Sequence, residues 1–308
     1  MRVIQTATEL APGRKKVCLA IGVFDGVHLG HQQIIRQTIA DARQQDSLAL
    51  VVTFNQHPNA IVAPSQVPPL IYSAPQKLRA LAALGADALL EIAFDKTFSQ
   101  LTGEQFIRSL ARDLGKIQSI CVGADFVFGH RRSGNVALLK TFGAELNFAV
   151  HGLAAVALDG QTVSSTRIRE AVRAGDFDAA GQMLGRAYSI AGAVIHGDQL
   201  GHQLGFPTAN LDTTGLLLPP HGVYAAHVCV GGKTHCAVLN LGVRPTVKNP
   251  SLQPRLEVHL LDFNADLYGQ ELEITFAAKL RDEQKFPSLA ELKTQIVRDV
   301  AAARAAIC

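Results

Sequence analysis

Two histidines, His28 and His31, lie three residues apart in a glycine-rich stretch, residues 22–31 (GVFDGVHLGH). The preceding run, residues 17–24, is short, apolar and rich in β-branched residues, which predicts a buried strand. After His31, apolar residues recur at helical spacing, so the stretch should lead from a strand to a helix N-terminus. Such an N-terminus attracts phosphate through its unpaired N–H groups and its dipole. The pattern therefore favours a phosphate site with two imidazole donors, and three glycines would permit positive φ and close approach of a ligand: Gly22, Gly26 and Gly30.

Other interpretations of this stretch remain open on its residues alone. Glycines are common at turns from strand to helix, and paired histidines could be surface residues or half of a metal site. Zinc is the weaker alternative, because neither a CxxC pair nor an HExxH motif accompanies the histidines. The stretch by itself favours phosphate binding over these alternatives.

A second set of chemically capable residues, Thr208 and Asn210, lies in the segment 192–211 (GAVIHGDQLGHQLGFPTANL). A hydroxyl and an amide carbonyl on a turn stiffened by Pro207 suit Mg²⁺, which takes oxygen ligands, waters and nucleotide phosphates. Four glycines would permit a flexible loop over a ligand: Gly192, Gly197, Gly201 and Gly205. For the four residues PTAN alone, however, an ordinary turn is the better explanation.

The elements that would position the first set alternate between strand and helix. Strand patterns cover residues 48–54, 87–94, 117–122 and 145–150, and helical patterns cover residues 76–84 and 103–114. This alternation predicts a parallel sheet covered on both faces, with ligands beyond the carboxyl ends of its strands. Polar motifs follow three of the strands, at residues 22–31, 55–58 and 123–134. Ser164 or Ser165 would then cap a helix that carries Arg169. Taken alone, this segment is best explained as an ordinary capped helix. Its occurrence together with the three motifs that follow strands favours an anion site.

The second half has a different pattern, which predicts a division into residues 1–183 and 184–308. Short strands separated by Gly, Pro, Asn and Asp indicate a small closed barrel, and a terminal helix follows at residues 291–306. The strand patterns cover residues 189–195, 223–229, 235–239, 256–261 and 272–276. Residues 231–234 (GGKT) end like a Walker loop, but no helix follows them, so a hairpin turn explains them better.

Composition narrows the class of protein. With 308 residues, 48% hydrophobic and 18% charged, the chain should form one large globular domain or two ordinary ones. A net charge of +3 gives no argument for a nucleic-acid partner. The chain shows neither a signal core nor a membrane-spanning apolar run, and we expect a soluble cytoplasmic protein without a membrane partner, a monomer or weak homo-oligomer. Five dispersed cysteines fit free thiols in a reducing compartment: Cys18, Cys121, Cys229, Cys236 and Cys308.

The polar motifs of the first half resemble the adenylyltransferase module of bacterial bifunctional riboflavin kinase/FAD synthetases, which belongs to the nucleotidyltransferases with an HxGH signature. The matching motifs are Gly22-x-Phe24-Asp25-Gly26-x-His28-x-Gly30-His31, Thr53-Phe54-Asn55-x-His57-Pro58, Gly123-x-Asp125-Phe126-x-Phe128-Gly129 and Ser164-Ser165-Thr166-x-Ile168-Arg169. The resemblance implies a Rossmann-like α/β domain that joins FMN to the AMP part of ATP and releases pyrophosphate.

This resemblance also assigns roles. His28 and His31 would be catalytic and hold the phosphates in the transition state, which fits a reaction that needs donors and no covalent nucleophile. Further ATP contacts would be Gly22, Phe24, Asp25, Gly26, Gly30, Ser164, Ser165, Thr166 and Arg169. Contacts to FMN or the nucleotide would be Asn55, His57, Asp125, Phe126 and Phe128.

The second half resembles the riboflavin kinase module of the same family, an antiparallel β-barrel with a C-terminal helix. The motifs are GHQLGFPTANL, PPHGVYA, LGVRPT, LEVHLLDF and DLYG. By the resemblance, Thr208 and Asn210 bind Mg²⁺, and Glu257 accepts the proton of the riboflavin hydroxyl that receives the γ-phosphate of ATP. Contacts to ATP or flavin would be Gly192, Gly197, Gly201, Gly205, Phe206, Pro207, Arg244, Arg281 and Phe286. The whole chain would thus use ATP and Mg²⁺ to convert riboflavin to FMN and FMN to FAD.

Three alternatives to this function remain. The sequence departs from the family pattern at residues 56, 124, 130–132, 199, 202–203 and 247, so one of the two modules could be inactive. A nucleotidyltransferase with another substrate should lack the barrel with GFPTAN. A flavin-binding regulator would not need His28, His31, Thr208, Asn210 and Glu257, all of which are present.

Overall fold

The computed structural model describes residues 1–10, 15–197, 200–242 and 254–308. The chain forms two compact units: unit 1 is Met1–Pro68 with Lys77–Ser164, and unit 2 is Pro69–Gln76 with Ser165–Cys308. The predicted division at 183/184 concerns catalytic modules and stays a prediction. Within the described ranges, no helix is both long enough and apolar enough to cross a membrane.

Unit 1 is built on a six-stranded sheet in the order β1-β4-β3-β2-β5-β8, in which every neighbouring pair is parallel. Its strands are β1 Arg2–Ile4, β2 Val17–Ile21, β3 Leu48–Phe54, β4 Ala88–Ile92, β5 Ile117–Gly123 and β8 Ala149–Leu153. Two small ribbons pair β6 Val127–Phe128 with β7 Gly134–Asn135, and β9 Ala157–Leu158 with β10 Gln161–Thr162. The predicted parallel sheet is confirmed.

Helices cover both faces of this sheet. They are α1 Leu29–Gln44, α2 Asn59–Val62, α3 Ala74–Ala82, α4 Gly103–Leu114 and α5 Val136–Leu146. Strand β2 shows why two faces are needed, because its side chains alternate between two cores. Cys18 and Ala20 pack with Ile35 of α1, whereas Leu19 and Ile21 pack in the cluster that contains Phe106 of α4.

Two local predictions in unit 1 were wrong, and one strand was not predicted. Strand β2 ends at Ile21 and not at Phe24, because Phe24 adopts the left-handed conformation with φ 53°. The strand predicted for residues 145–150 is in part the end of α5, which stops where Asn147 takes φ 60°. Strand β8 follows it at Ala149–Leu153, and β1 at Arg2–Ile4 was not predicted.

Unit 2 is organised around a closed six-stranded barrel in the order β11-β12-β15-β14-β13-β16, as predicted. Its strands are β11 Ser189–Ile195, β12 Ala209–Leu211, β13 Gly222–Val230, β14 Lys233–Gly242, β15 Arg255–Leu260 and β16 Glu271–Arg281. Its helices are α6 Ser165–Ala174, α7 Phe177–Leu184, α8 Leu200–Leu204 and α9 Leu289–Ile307. The predicted hairpin turn is confirmed, because Val230 pairs with Lys233 around Gly231 and Gly232, which have φ 55° and 81°.

The prediction that all five cysteines are free thiols was wrong. Cys236 of β14 and Cys308 at the end of α9 form a disulfide. They meet because α9 packs on the barrel through Ala303, beside Val223 and Val238. Cys18 and Cys121 are free and buried, as expected, and burial raises the pKa of the Cys121 thiol to about 12. Cys229 is free and exposed.

Candidate functional site

The glycine-rich stretch of unit 1 begins where β2 ends, between the neighbouring strands β3 and β5. Helix α1 starts at Leu29, two residues earlier than the apolar pattern suggested, and His28 is its N-cap. The Nδ1 atom of His28 accepts a hydrogen bond from the backbone N–H of His31 at 3.4 Å. The prediction of a strand, a turn and a helix N-terminus is therefore confirmed, and both histidines lie in the first turn.

The imidazole rings of His28 and His31 are stacked, with ring centroids 3.6 Å apart and planes 21° from parallel. The ring of Phe24, which is completely buried, packs edge-to-face against the ring of His31, with the two ring centroids 5.3 Å apart. Burial, and secondarily the neighbouring His28, hold the pKa of His31 well below its usual 6.5. His31 is thus neutral near pH 7. Its buried Nδ1 has no hydrogen-bond partner among the residues that the structure describes.

Lys77 is a cation of this region that the sequence did not single out. Its ammonium group donates to the carbonyl oxygen of Phe54 at 3.0 Å and lies 3.5 Å from the hydroxyl of Thr53, at the carboxyl end of β3. Burial lowers the pKa of Lys77, whereas the carboxylates of Glu91 and Asp25 act in the opposite direction. Asp25, in the glycine-rich stretch, is only 6% exposed. Lys77 therefore places a half-buried ammonium group close enough to Asp25 of the glycine-rich stretch to interact with it electrostatically.

A cavity of about 940 Å³ opens in unit 1 at the carboxyl end of β2 and β3. Aromatic side chains supply much of its wall, and cations border it; the lining includes Phe54, Phe94, Phe98, Phe106, Phe126, Phe128, Lys96, Arg131 and Arg132. A cavity of this size with apolar walls and a few polar groups is typical of a small-molecule site. The sequence indicated Phe126 and Phe128 as contacts, but not the four phenylalanines at residues 54, 94, 98 and 106.

The other predicted contacts of unit 1 have structural partners. Asn55 accepts a hydrogen bond from the backbone of Phe94 at 3.0 Å through Oδ1, which joins the ends of β3 and β4. The Nδ1 of His57 accepts from the backbone of Asn59 at 3.1 Å. Asp125 is exposed.

The serine-rich motif that follows unit 1 is divided between the two units at Ser164/Ser165. In unit 2, Ser165 begins α6, as the capping pattern suggested, and Thr166 lies in its first turn. Arg169 is 7% exposed, and its Nε donates to the carbonyl oxygen of Pro69 at 2.8 Å.

In unit 2, three side chains with hydrogen-bonding groups stand in register across neighbouring strands. Glu257 of β15 lies opposite Asn210 of β12 on one side and opposite Asn240 of β14 on the other. Directly opposed residues of antiparallel strands point to the same face with Cβ atoms about 5 Å apart. Leu256 and Val258 are buried in the barrel, so the half-buried Glu257 faces outward. The structure therefore groups Glu257 with the predicted metal ligand Asn210.

A cavity of about 240 Å³ lies on this outward face of the barrel, beside α9. Thr208, Asn240, Glu257, Arg281 and Phe286 are among its lining residues. The guanidinium group of Arg281 makes three hydrogen bonds of 2.8 to 3.2 Å to the carboxylate of the buried Asp299 on α9, and lies 5.7 Å from the centre of the Phe286 ring. The sequence indicated four of these lining residues, Thr208, Glu257, Arg281 and Phe286. It did not indicate Asn240 or Asp299.

Thr208 also lines a second cavity of unit 2, of about 440 Å³, with His202, Pro207, Asp266 and Tyr268. The segment before Thr208 forms the short helix α8 where a flexible loop was expected. A Cβ at Gly197 would overlap the side-chain amide of Asn210, and a Cβ at Gly201 would overlap the carbonyl oxygen of Phe206 and crowd the hydroxyl of Thr208. Gly205 has φ 87°, which favours glycine. Arg244, another predicted contact, lies outside the described residues.

Comparisons with known proteins agree with this two-unit organisation. A family model described as FAD synthetase matches residues 11–167, and one described as riboflavin kinase matches residues 184–307. The chain is 40% identical to the bifunctional riboflavin kinase/FMN adenylyltransferase of Pseudomonas fluorescens and 37% identical to that of Escherichia coli K12, in each case over 99% of this chain and 97% of the relative. The chain belongs to this family of bifunctional riboflavin kinase/FMN adenylyltransferases.

A solved structure covers the same span as these bifunctional relatives. It is a crystal structure described as a macrolide-efflux protein from Streptococcus pneumoniae, with a TM-score of 0.82, 28% sequence identity and 98% of each chain covered. The match shows that this chain and that structure share a fold.

Membership of the riboflavin kinase/FMN adenylyltransferase family confirms the resemblance drawn from the motifs. The roles of individual residues stay predictions. Besides the aromatic residues of the large cavity, the sequence did not reveal Lys77, Asn240 and Asp299. Each lies in an ordinary helix or strand pattern, so only its tertiary position gives it a place beside a site.

Proposed function

We propose that this chain phosphorylates riboflavin to FMN in its C-terminal module and adenylylates FMN to FAD in its N-terminal module. The observation that supports this most strongly is that each matched family segment contains its own chemically suited site. The stacked His28 and His31 lie at a helix N-terminus in unit 1. Glu257, Asn210 and Asn240 stand in register on the barrel of unit 2. We place the division between modules at residues 183/184.

For adenylyl transfer, a phosphate oxygen of FMN attacks the α-phosphorus of ATP, and pyrophosphate leaves with the electrons of the broken P–O bond. His28, His31 and the first N–H groups of α1 stabilise the charge that develops on the phosphates. Lys77 adds a nearby positive charge. The proposed phosphate contacts are Gly22, Phe24, Asp25, Gly26, Gly30, Ser164, Ser165, Thr166 and Arg169.

The aromatic cavity of unit 1 suits the flat ring system of FMN, and the arginines at residues 131 and 132 suit its phosphate. Phe126 and Phe128 would contact the flavin directly. Asn55 and His57 would act by shaping the loop after β3, because both accept hydrogen bonds from the backbone. Asp125 remains a proposed contact at the exposed rim.

For phosphorylation of riboflavin, Glu257 accepts the proton of the terminal ribityl hydroxyl as its oxygen bonds to the γ-phosphorus of ATP. The cavity of about 240 Å³, which contains Glu257, Arg281 and Phe286, would take the flavin. The cavity of about 440 Å³ would take the nucleotide, and Thr208 lines both. The proposed contacts on the nucleotide side are Gly192, Gly197, Gly201, Gly205, Phe206, Pro207 and Arg244.

Thr208 and Asn210 fit Mg²⁺ as its protein ligands. A hydroxyl and an amide carbonyl are hard oxygen donors, and Mg²⁺ retains waters and takes phosphate oxygens for its other positions. The close approach of Gly197 to the Asn210 amide makes a tight cradle around these donors. When bound, Mg²⁺ would neutralise charge on the transferred phosphate. We also propose that the enzyme acts in the cytoplasm as a monomer or weak homo-oligomer, without a nucleic-acid partner.

The direct test is to incubate the full chain with riboflavin, ATP and Mg²⁺ and to separate the flavins by chromatography over time. We expect FMN to appear first and FAD to follow. FMN without FAD would contradict adenylyl transfer, and FAD from supplied FMN without FMN from riboflavin would contradict the kinase. Unchanged riboflavin bound to the protein would instead support a flavin-binding regulator.

A further inference from the structure

The backbone before His28 is held in an unusual conformation. Phe24, Gly26 and Val27 all lie in the left-handed region, with φ of 53°, 76° and 43°. Glycine adopts this conformation readily, but a β-branched residue such as Val27 does so only where the surrounding structure holds it. The Val27 side chain is completely buried. Because the peptide that follows Val27 carries His28, the orientation of this peptide decides where the imidazole of His28 points.

Gln32 holds that peptide from the first turns of α1. Its side-chain Nε2 donates to the carbonyl oxygen of Val27 at 2.9 Å, and the residue is only 6% exposed. Its backbone N–H donates to the carbonyl oxygen of His28 at 2.9 Å. The two bonds of Gln32 therefore hold the carbonyl groups on either side of the His28 α-carbon.

The other end of the Gln32 side chain is also fixed. Its Oε1 accepts a hydrogen bond from Nη2 of Arg36, one turn later on α1, at 3.1 Å. Since the guanidinium group can only donate, it orients the amide so that Nε2 faces Val27. Gln33, the next residue, is exposed and has the same side chain, so it provides a matched control on the same helix.

We infer that Gln32 is a positioning residue for adenylyl transfer: it holds the strained Val27–His28 peptide so that His28 and His31 stay stacked in the first turn of α1. This inference rests on the proposed role of the two histidines. Gln32 acts through His28 and does not touch the reacting phosphates itself.

Two substitutions separate the contact to Val27 from the contact to Arg36. Gln32→Glu keeps an oxygen acceptor for Arg36 but, when ionised, cannot donate to Val27. Gln32→Met has a similar length and loses both bonds. We expect both variants to lower kcat for FAD formation from FMN by about 10- to 100-fold, because small displacements of positioned groups have effects of this size. The KM values for ATP and FMN should change by less than about 3-fold, because the Gln32 side chain is only 6% exposed and both ends of its amide are hydrogen-bonded within the protein.

Two internal controls make the test decisive. Gln33→Met should leave FAD formation unchanged, and all three variants should phosphorylate riboflavin at the wild-type rate, because the barrel forms a separate compact unit. If Gln32→Met does not fold, the comparison of Gln32→Glu with wild type decides the question alone. Wild-type kcat in Gln32→Glu, or a rise in KM without loss of kcat, would overturn the inference. Absence of FAD formation in the wild type would instead overturn the proposed function.

Discussion

At the scale of single residues, burial determines what each acid or base of the two sites can do. The pKa of His31 is lowered by burial, so the stacked pair does not carry two positive charges when phosphates bind. Glu257, in contrast, is half-buried on the outer face of the barrel and lies between two amide side chains in register. The site of unit 1 therefore offers hydrogen-bond donors to the negative charge that develops on phosphate, and the site of unit 2 offers a proton acceptor.

The lowered pKa of His31 predicts how the stability of unit 1 depends on pH. In the unfolded chain, the imidazole of residue 31 binds a proton as the pH falls below about 6.5, whereas in the folded protein it remains neutral to lower pH. The unfolded state therefore binds more protons below that pH. The contribution of His31 to the stability of unit 1 is therefore complete above about pH 6.5 and is lost as the pH falls. Hydrogen exchange of α1 peptides, corrected for the intrinsic rates, should show decreasing protection between pH 6.5 and 5.

This acid-dependent loss of protection should be smaller in His31→Gln, because the side chain of glutamine does not bind a proton in this pH range. His221→Gln, at an exposed position of unit 2, should retain the wild-type slope. Parallel pH curves for wild type and His31→Gln would show that His31 is not held neutral by the fold.

Glu257 is the residue on which the kinase activity should depend. We expect Glu257→Gln to lower FMN formation from riboflavin by about 100-fold or more, because the amide cannot accept the hydroxyl proton. FAD formation from supplied FMN should persist. Glu271→Gln, an exposed carboxylate at the start of β16, is the control and should keep both activities. Equal loss of both activities in Glu257→Gln would contradict a dedicated kinase site.

At the scale of elements, the sequence predicted best where local signals and packing agree. The bounds of β3 and α4 were predicted correctly; α4 starts with a capping box between Thr102 and Gln105, and its apolar face is regular. The prediction failed at Phe24 and Asn147, where left-handed residues end a strand and a helix. No local pattern distinguishes these positions, because their conformations depend on what packs around them.

The same reasoning explains which site residues the sequence revealed. His28, His31, Thr208 and Asn210 stand in motifs that resemble those of a known family. Asn240, by comparison, follows Leu239 in a regular strand, and its place opposite Glu257 exists only once β14 and β15 pair. Register between distant strands is set by tertiary packing, and a single sequence does not display it.

The ion pair between β16 and α9 allows a prediction for an element. Asp299 is 5% exposed and binds Arg281, so replacing it leaves a largely buried guanidinium group without its counter-charge. We expect Asp299→Asn to lower the free energy of unfolding of unit 2 by about 3 kcal/mol. All four tyrosines lie in unit 2 and the chain has no tryptophan, so tyrosine fluorescence during urea unfolding reports on this unit.

An exposed pair provides the control for Asp299→Asn. Asp282 binds Lys279 with its side chain 86% exposed, and Asp282→Asn should change the free energy of unfolding by less than about 1 kcal/mol. If the two variants were equally stable, α9 would not be held to the barrel by the Arg281–Asp299 pair.

At the scale of the whole molecule, the chain combines two reactions of which the first produces the substrate of the second. Each compact unit has its own hydrophobic core, and the stacked histidines lie in unit 1, whereas Glu257 lies in unit 2. The sheet of unit 1 supplies helix N-termini and a large aromatic cavity, and the barrel of unit 2 supplies registered polar side chains. If the two sites are independent, a defect in one site should be compensated by an intact copy of the same site on another molecule.

Complementation between two inactive variants tests this independence. His28→Ala should still make FMN but lose FAD formation by about 100-fold or more, because it lacks a charge-stabilising donor. Glu257→Gln should make FAD only from supplied FMN. When the two proteins are mixed with riboflavin, ATP and Mg²⁺, FMN released by the first should become FAD on the second after a lag. The lag should shorten as the concentration of Glu257→Gln increases, since FMN must diffuse between molecules. If each variant performs its remaining half-reaction but the mixture makes no FAD, FMN passes only within one molecule.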